Sequence, residues 1–173
     1  MPIVTTIEGR IAQVAIDRPE KRNTLSSELC KDLAREFLEL NDDTRVRSIV
    51  LCGHNNVFCA GLDIEEQLAE NTPIFNEFQK VIDALDALSK PVVAAVSGPA
   101  VSQGAAMLYH CDLVFAGEHA LFSMPGLALG QTPRYGVSLL AVKSGGYKLA
   151  AQKLLLSEPI SAAEAVAMGL VNH

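Results

Sequence analysis

Two stretches decide how this chain is read: Phe58-Cys59-Ala60-Gly61-Leu62-Asp63-Ile64, and Ala95-Val96-Ser97-Gly98-Pro99-Ala100-Val101-Ser102-Gln103-Gly104-Ala105-Ala106. Each follows an apolar run, Ser48-Ile49-Val50-Leu51-Cys52-Gly53 in one case and Pro91-Val92-Val93-Ala94-Ala95-Val96 in the other, that reads as a strand covered on both faces. Each is built of small residues, which let a backbone turn sharply and aim main-chain N–H groups at one point. Two N–H groups aimed at one carbonyl oxygen form an oxyanion hole, which stabilises negative charge developing on that oxygen.

Working outward, residues 2–8 and 10–16 read as a hairpin about Glu8-Gly9. From about Ser26, Leu29, Leu33 and Phe37 recur every four residues between charges, which predicts a helix ending at Asn41-Asp42-Asp43. A short acidic helix is expected over 63–71. Pro73 then opens another, with Ile74, Phe78, Ile82, Leu85 and Leu88 on its inner face. A small-residue helix over 102–110, strands over 113–116 and 120–122, and a mostly helical stretch over 137–156 follow. Ser161-Ala162-Ala163-Glu164 reads as a capping box whose helix stops at Gly169. The order β-β-α-β-α-β-α-β-β-α-α predicts an α/β layered fold with a mostly parallel sheet.

At 173 residues the chain is expected to form one domain with a sizeable core. A net charge of −6 argues against a general nucleic-acid or anionic-membrane binder, so an anionic ligand needs a local basic site. Apolar runs are broken by Gly, Pro or charge well short of a membrane span, and no signal peptide is visible at the N-terminus. None of Cys30, Cys52, Cys59 and Cys111 forms a C-x-x-C pair. A reducing cytoplasm fits this usage, and a zinc site does not. Cys59 reads as a core or spacer residue rather than a nucleophile, since no helpful base adjoins it. A nucleotide-binding fold of Rossmann type is disfavoured, because no G-x-G-x-x-G follows the first strand and no P-loop lysine motif is present.

Over nearly the whole chain the motifs resemble the enoyl-CoA hydratase/isomerase (crotonase) family. Arg18-Pro19 followed by Asn23 is similar to that family's loop after the second strand, and the two opening stretches are similar to its site strands and turns. Cys111-Asp112-Leu113, Phe122–Gly130 and Ile160–Val171 match its later landmarks. The resemblance implies a spiral of repeated ββα units, with a mostly parallel sheet flanked by helices. It implies an acyl-CoA thioester as ligand, with no cofactor beyond the coenzyme A of the substrate. Family members usually continue past this point with helices that close the acyl pocket and build a trimer, so residues 1–173 are expected to form the core domain alone. A homotrimer or dimer of trimers is implied where that region is present.

Carried over residue by residue, the resemblance places the two oxyanion N–H donors on Leu62 and Gln103. The second turn departs from the family pattern, which has consecutive glycines where this chain has Ser102-Gln103-Gly104. Lys21 and Arg22 are placed to meet CoA phosphates or, equally, to form a solvated loop. Ala60 is placed to meet adenine or pantetheine, and Asp63 and Ile64 adjoin it. Asp63, Glu65 and Glu66 either line the pocket mouth or form a solvated helix start favoured by the helix dipole. The family's two catalytic glutamates fall on Ala106 and Gly126, and the carboxylate of some isomerases falls on Arg134. Alanine and glycine cannot relay a proton, and arginine stays protonated. Ordinary two-glutamate hydration is therefore disfavoured. Isomerase-like or decarboxylase-like chemistry remains, as does a catalytically degenerate acyl-CoA binder or scaffold. Arg134 and Tyr135 are the candidate polar groups at the acyl end, suited to a substrate with a second acid group, or else a packed surface loop. His110 reads as structural.

Overall fold

The computed structural model describes residues 2–173. The hairpin forms as β1 (Ile3–Glu8) and β2 (Ile11–Ile16), antiparallel, with Glu8 opposite Ile11. Strand β2 then pairs in parallel with β3 (Ser48–Gly53), β3 with β4 (Val92–Val96), and β4 with β6 (Leu113–Ala116), giving one five-stranded sheet. Helix α1 (Ser27–Asp42) starts where the Ser26 hydroxyl accepts the Leu29 N–H, and it buries Leu29, Leu33 and Phe37 as their spacing requires. It packs along α3 (Ile74–Asp86), which buries Phe78, Ile82 and Leu85. Phe37, Phe58, Phe78 and Phe122 are wholly buried, each worth roughly 2–3 kcal/mol of apolar transfer.

The chain departs from a single sheet at β5 (Ala100–Val101), β7 (Leu121–Ser123) and β8 (Ile160–Ser161), which make a second, three-stranded sheet in the order β5-β7-β8. A parallel bridge from Cys59 to Ala100 continues it toward the first turn. Successive units therefore give one segment to each sheet before turning into a helix. Strand β3 and the Cys59 segment lead to α2 (Ile64–Gln67) and α3. Strands β4 and β5 lead to α4 (Gln103–Leu108). Strands β6 and β7 lead to α5 (Val137–Gly145) and α6 (Tyr147–Leu155). Leu62 and Gln103 thus stand at corresponding places in consecutive units, each where a small-sheet segment passes into a helix. This placement puts both at one site.

The expected capping box forms at α7 (Ala162–Ala167). The Ser161 hydroxyl accepts the Glu164 N–H, and the Glu164 carboxylate accepts the Ser161 N–H. The same carboxylate lies 2.7 Å from the ammonium of Lys153, which is 4% exposed and also donates to the Pro159 carbonyl at 3.1 Å. That ammonium, followed by the Ser161 N–H, holds the Glu164 carboxyl down at about 2, against an ordinary 4.5. A depressed folded value stabilises fully above the ordinary one and is lost as pH falls through the folded one. We expect urea stability to drop between about pH 4.5 and pH 2 and E164Q to flatten that drop. Identical acid slopes in both proteins would show that the clamp carries no linkage.

Helices α5 and α6 leave Leu139, Tyr147 and Leu155 exposed, and Leu156, which caps α6, is exposed as well. Among the described residues no helix is long and apolar enough to cross a membrane.

Candidate active site

The first turn hangs between two neighbours. On one side, Phe58 and Cys59 donate to the Pro99 carbonyl at 3.0 and 3.2 Å, and Val101 donates to the Cys59 carbonyl at 2.9 Å. On the other, Leu25 donates to the Gly61 carbonyl and Asp63 donates to the Leu25 carbonyl, both at 2.8 Å. In a parallel bridge of this kind the intervening residue, Leu62, turns its own N–H away from Leu25. Gly61 sits at φ +95°, and a Cβ there would come within 3.1–3.2 Å of the Val101 carbonyl, Ser102 and the Gln103 side chain. Only glycine makes this turn without strain.

The second turn is pressed onto the first. A Cβ on Gly104 would lie 2.3 Å from the Cys59 carbonyl oxygen, so α4 begins directly against the Cys59 segment. Ser102, at φ 54° and ψ −116°, takes a conformation suited to glycine, a strain of about 1–3 kcal/mol held by its N–H bond to the Ser123 carbonyl at 2.7 Å. Gln103 is the first residue of α4, so its N–H has no acceptor within the helix. The structure therefore brings Leu62 and Gln103 close together. It adds a contact that the sequence did not reveal: the Leu62 N–H points at the side-chain Oε1 of Gln103, 3.4 Å away.

A cleft open to solvent adjoins this turn. Gln103, Ala106, Gly126, Arg134 and Tyr135 line it, and Met124 and Leu154 supply apolar wall. The three positions on which the resemblance places carboxylates, Ala106, Gly126 and Arg134, thus face one space, and that space has no Asp, Glu or His in its lining. The Arg134 guanidinium lies over the Phe75 ring, 4.8 Å from its centroid. The Tyr135 hydroxyl donates to the Phe75 carbonyl at 3.3 Å and the ring meets Phe78 edge-on at 4.7 Å. Burial pushes the phenol up to about 12, so Tyr135 is a neutral donor or acceptor and not a base at neutral pH. The ring nitrogens of His110 lie 2.8 Å from Asp86 and 2.9 Å from the Tyr135 carbonyl. That histidine ties the Arg134-Tyr135 loop to the end of α3, the structural role expected of it.

The residues expected to meet CoA divide. Arg22 is exposed, its carbonyl accepts the Ala60 N–H at 3.2 Å, and Ile64 is exposed, so these loops adjoin. Lys21 is half-exposed and paired with Glu65 at 3.1 Å, a surface contact a phosphate can displace at little cost. Asp63 corrects the expectation of a solvated helix start: it is 6% exposed, with one carboxylate oxygen 3.1 Å from the Arg18 guanidinium and the other capping α2 through the Glu65 N–H. Its carboxylate faces into the fold because an ion pair with Arg18 satisfies it there, so the side chain anchors the turn. Glu66 likewise caps α1, accepting the Ser27 N–H and hydroxyl. Cys59 is fully buried and burial pushes its thiol up to about 12, in keeping with a spacer role.

One strut was missed from sequence. Asn23 is wholly buried at φ 56°. Its side-chain oxygen accepts the Arg18 N–H at 2.9 Å, and its amide donates to the His54 and Val57 carbonyls at 3.0 and 2.7 Å. The available signal was an asparagine in a turn-forming loop, a residue that tolerates left-handed backbone.

The profile of the enoyl-CoA hydratase/isomerase family matches residues 6–173. A short-chain-enoyl-CoA hydratase of Clostridium acetobutylicum is 34% identical over 98% of this chain and 67% of its own length. A 2,3-dehydroadipyl-CoA hydratase of Escherichia coli is 32% identical over 98% of this chain and 68% of its own. Among solved structures, an enoyl-CoA hydratase/isomerase of Pseudoalteromonas atlantica superposes with a TM-score of 0.92 at 32% identity, covering 99% of this chain and 68% of that one. OdaA of Pseudomonas aeruginosa superposes with a TM-score of 0.92 at 36% identity, over 99% of this chain and 70% of that one.

Proposed function

Because the chain belongs to the enoyl-CoA hydratase/isomerase family, we propose that its cleft binds an acyl-CoA thioester and stabilises the thioester enolate without a carboxylate acid–base pair. The observation that carries this reading is the cleft itself, where the Gln103 turn, Arg134 and Tyr135 meet and no carboxylate or imidazole lines the wall. Hydration needs groups to hold and activate a water, and double-bond migration needs a group to carry a proton between two carbons. Loss of CO₂ from a malonyl-type thioester needs neither. The bond from the α-carbon to the carboxylate breaks, its electron pair moves onto the thioester as an enolate, CO₂ leaves, and a proton from water ends on the α-carbon. The Leu62 and Gln103 N–H groups stabilise the enolate oxygen, and one such donor is worth about 3 kcal/mol in comparable sites. Arg134 attracts the substrate carboxylate to the cleft mouth.

The test is incubation of the protein with malonyl-type, 2-enoyl- and 3-enoyl-CoA esters. We expect CO₂ from the malonyl-type ester alone. Formation of a 3-hydroxyacyl product, or a shifted double bond, would overturn the reading. Tight binding of all three without turnover would favour a second reading, a non-catalytic acyl-CoA binder. The contact of the Gln103 side chain on the Leu62 N–H is the observation on that reading's side.

A further inference from the structure

We propose that the Gln103 side chain is a gate on the oxyanion site: it occupies the Leu62 N–H in the free protein and must swing aside before a thioester oxygen can be seated. The inference rests on the acyl-thioester reading above. Leu62 turns its N–H away from residue 25, and among the described residues the acceptor it finds is Gln103 Oε1 at 3.4 Å. The orientation of that amide follows from chemistry, because its NH₂ end would set donor against donor. Gln103 is 6% exposed, and its side chain also lies 3.2 Å from where a Cβ on Gly61 would sit, so it fills the narrow space between the two turns. It also lines the cleft, so the cleft is where the side chain can swing. Glycine at this place leaves the Leu62 donor open. Glutamine makes the protein's own acceptor compete with the ligand's. At 3.4 Å the bond is long and so weak, which suits a gate that ligand can displace.

A closed gate lowers affinity only for ligands that need the Leu62 N–H, by the fraction of molecules standing open. Acetyl-CoA carries a thioester oxygen and no α-carboxylate, and free coenzyme A carries neither. Calorimetry of both ligands on wild type, Q103A and Q103M separates the possibilities. Q103M keeps most of the bulk and removes the acceptor. We expect acetyl-CoA to bind both variants roughly two- to tenfold more tightly than wild type, the factor set by one weak hydrogen bond, with coenzyme A affinity unchanged. In the ligand-free protein the Leu62 amide should exchange roughly fivefold faster in either variant.

Equal gains for acetyl-CoA and coenzyme A would overturn the gate while leaving the acyl-CoA reading standing. So would tightening in Q103A alone, which would mean that bulk and not the hydrogen bond blocks the site. Unchanged Leu62 exchange overturns the gate without reference to any ligand. Absence of binding by every protein would defeat the acyl-CoA reading, and the gate with it.

Discussion

Asn23→Ala is expected to lower stability by about 2–5 kcal/mol. The side chain is wholly buried and satisfies the Arg18 N–H and the carbonyls of His54 and Val57 together. A buried polar group left without a partner costs about 1–3 kcal/mol, and alanine adds about 1–2 kcal/mol for left-handed backbone at φ 56°. Urea unfolding measures the total. Asn23→Gly removes the backbone part, so it should be milder than N23A by about 1 kcal/mol. A loss under 1 kcal/mol in N23A would mean that water replaces the amide and that the loop is not held there. The site should feel the same change. Arg22 directly precedes Asn23, and its carbonyl accepts the Ala60 N–H, so a loosened loop loosens the first turn.

Asn23 also marks where sequence reading ends. The parallel strands were legible because Ile49-Val50-Leu51 and Val92-Val93-Ala94 are continuous apolar runs, but the expected cover on both faces is not there: Ile49, Leu51, Val92 and Ala94 are buried, whereas Val50 and Val93 face the other side of the sheet half-exposed. Helices α1 and α3 were legible from the four-residue recurrence of their leucines and phenylalanines. The second sheet was not, because Ala100–Val101 and Ile160–Ser161 are two residues each and no periodicity exists over two residues. The acidic helix expected over 63–71 is the four-residue α2, since Asp63 is turned into a cap and its helix stops at Gln67.

Within the site, backbone roles were legible and side-chain roles were not. Small residues at Gly61 and Gly104 announce close approaches, and the structure has both. That Asp63 would face Arg18, that Lys153 would be buried against Glu164, and that Gln103 would reach Leu62 all depend on partners 41 or more residues away, or on a helix packing inward. A charge pattern along the chain carries none of that information. The carboxylate vacancies were legible for the opposite reason: a missing functional group is visible in the residue type alone.

On the carboxylate-free reading proposed above, Ala106→Glu together with Gly126→Glu is expected to create hydration of 2-enoyl-CoA. Both positions line the cleft, so the new carboxyls would share its space with the bound acyl chain. Gly126 has ordinary right-handed backbone, φ −51° and ψ −48°, and a Cβ there meets nothing nearer than the Gln131 carbonyl at 3.3 Å, a contact that a small shift relieves. Ala106 lies inside α4 and is 4% exposed, so a carboxyl placed there starts from a desolvated position, which raises its pKa and suits it to donate a proton. The partner at 126 lies in a half-buried turn and remains the better base. One positioned acid or base contributes about 10²–10⁴-fold, and a water held by two carboxyls fails when either is absent. Each single variant should therefore hydrate poorly and the double variant should exceed their product, as read by 3-hydroxyacyl-CoA formation. Binding of 2-enoyl-CoA must be followed alongside, because overpacking at 106 would abolish both. A double variant that binds 2-enoyl-CoA and makes no product would place the barrier elsewhere, and Q103A introduced into it then shows whether the Gln103 side chain on the Leu62 donor is that barrier.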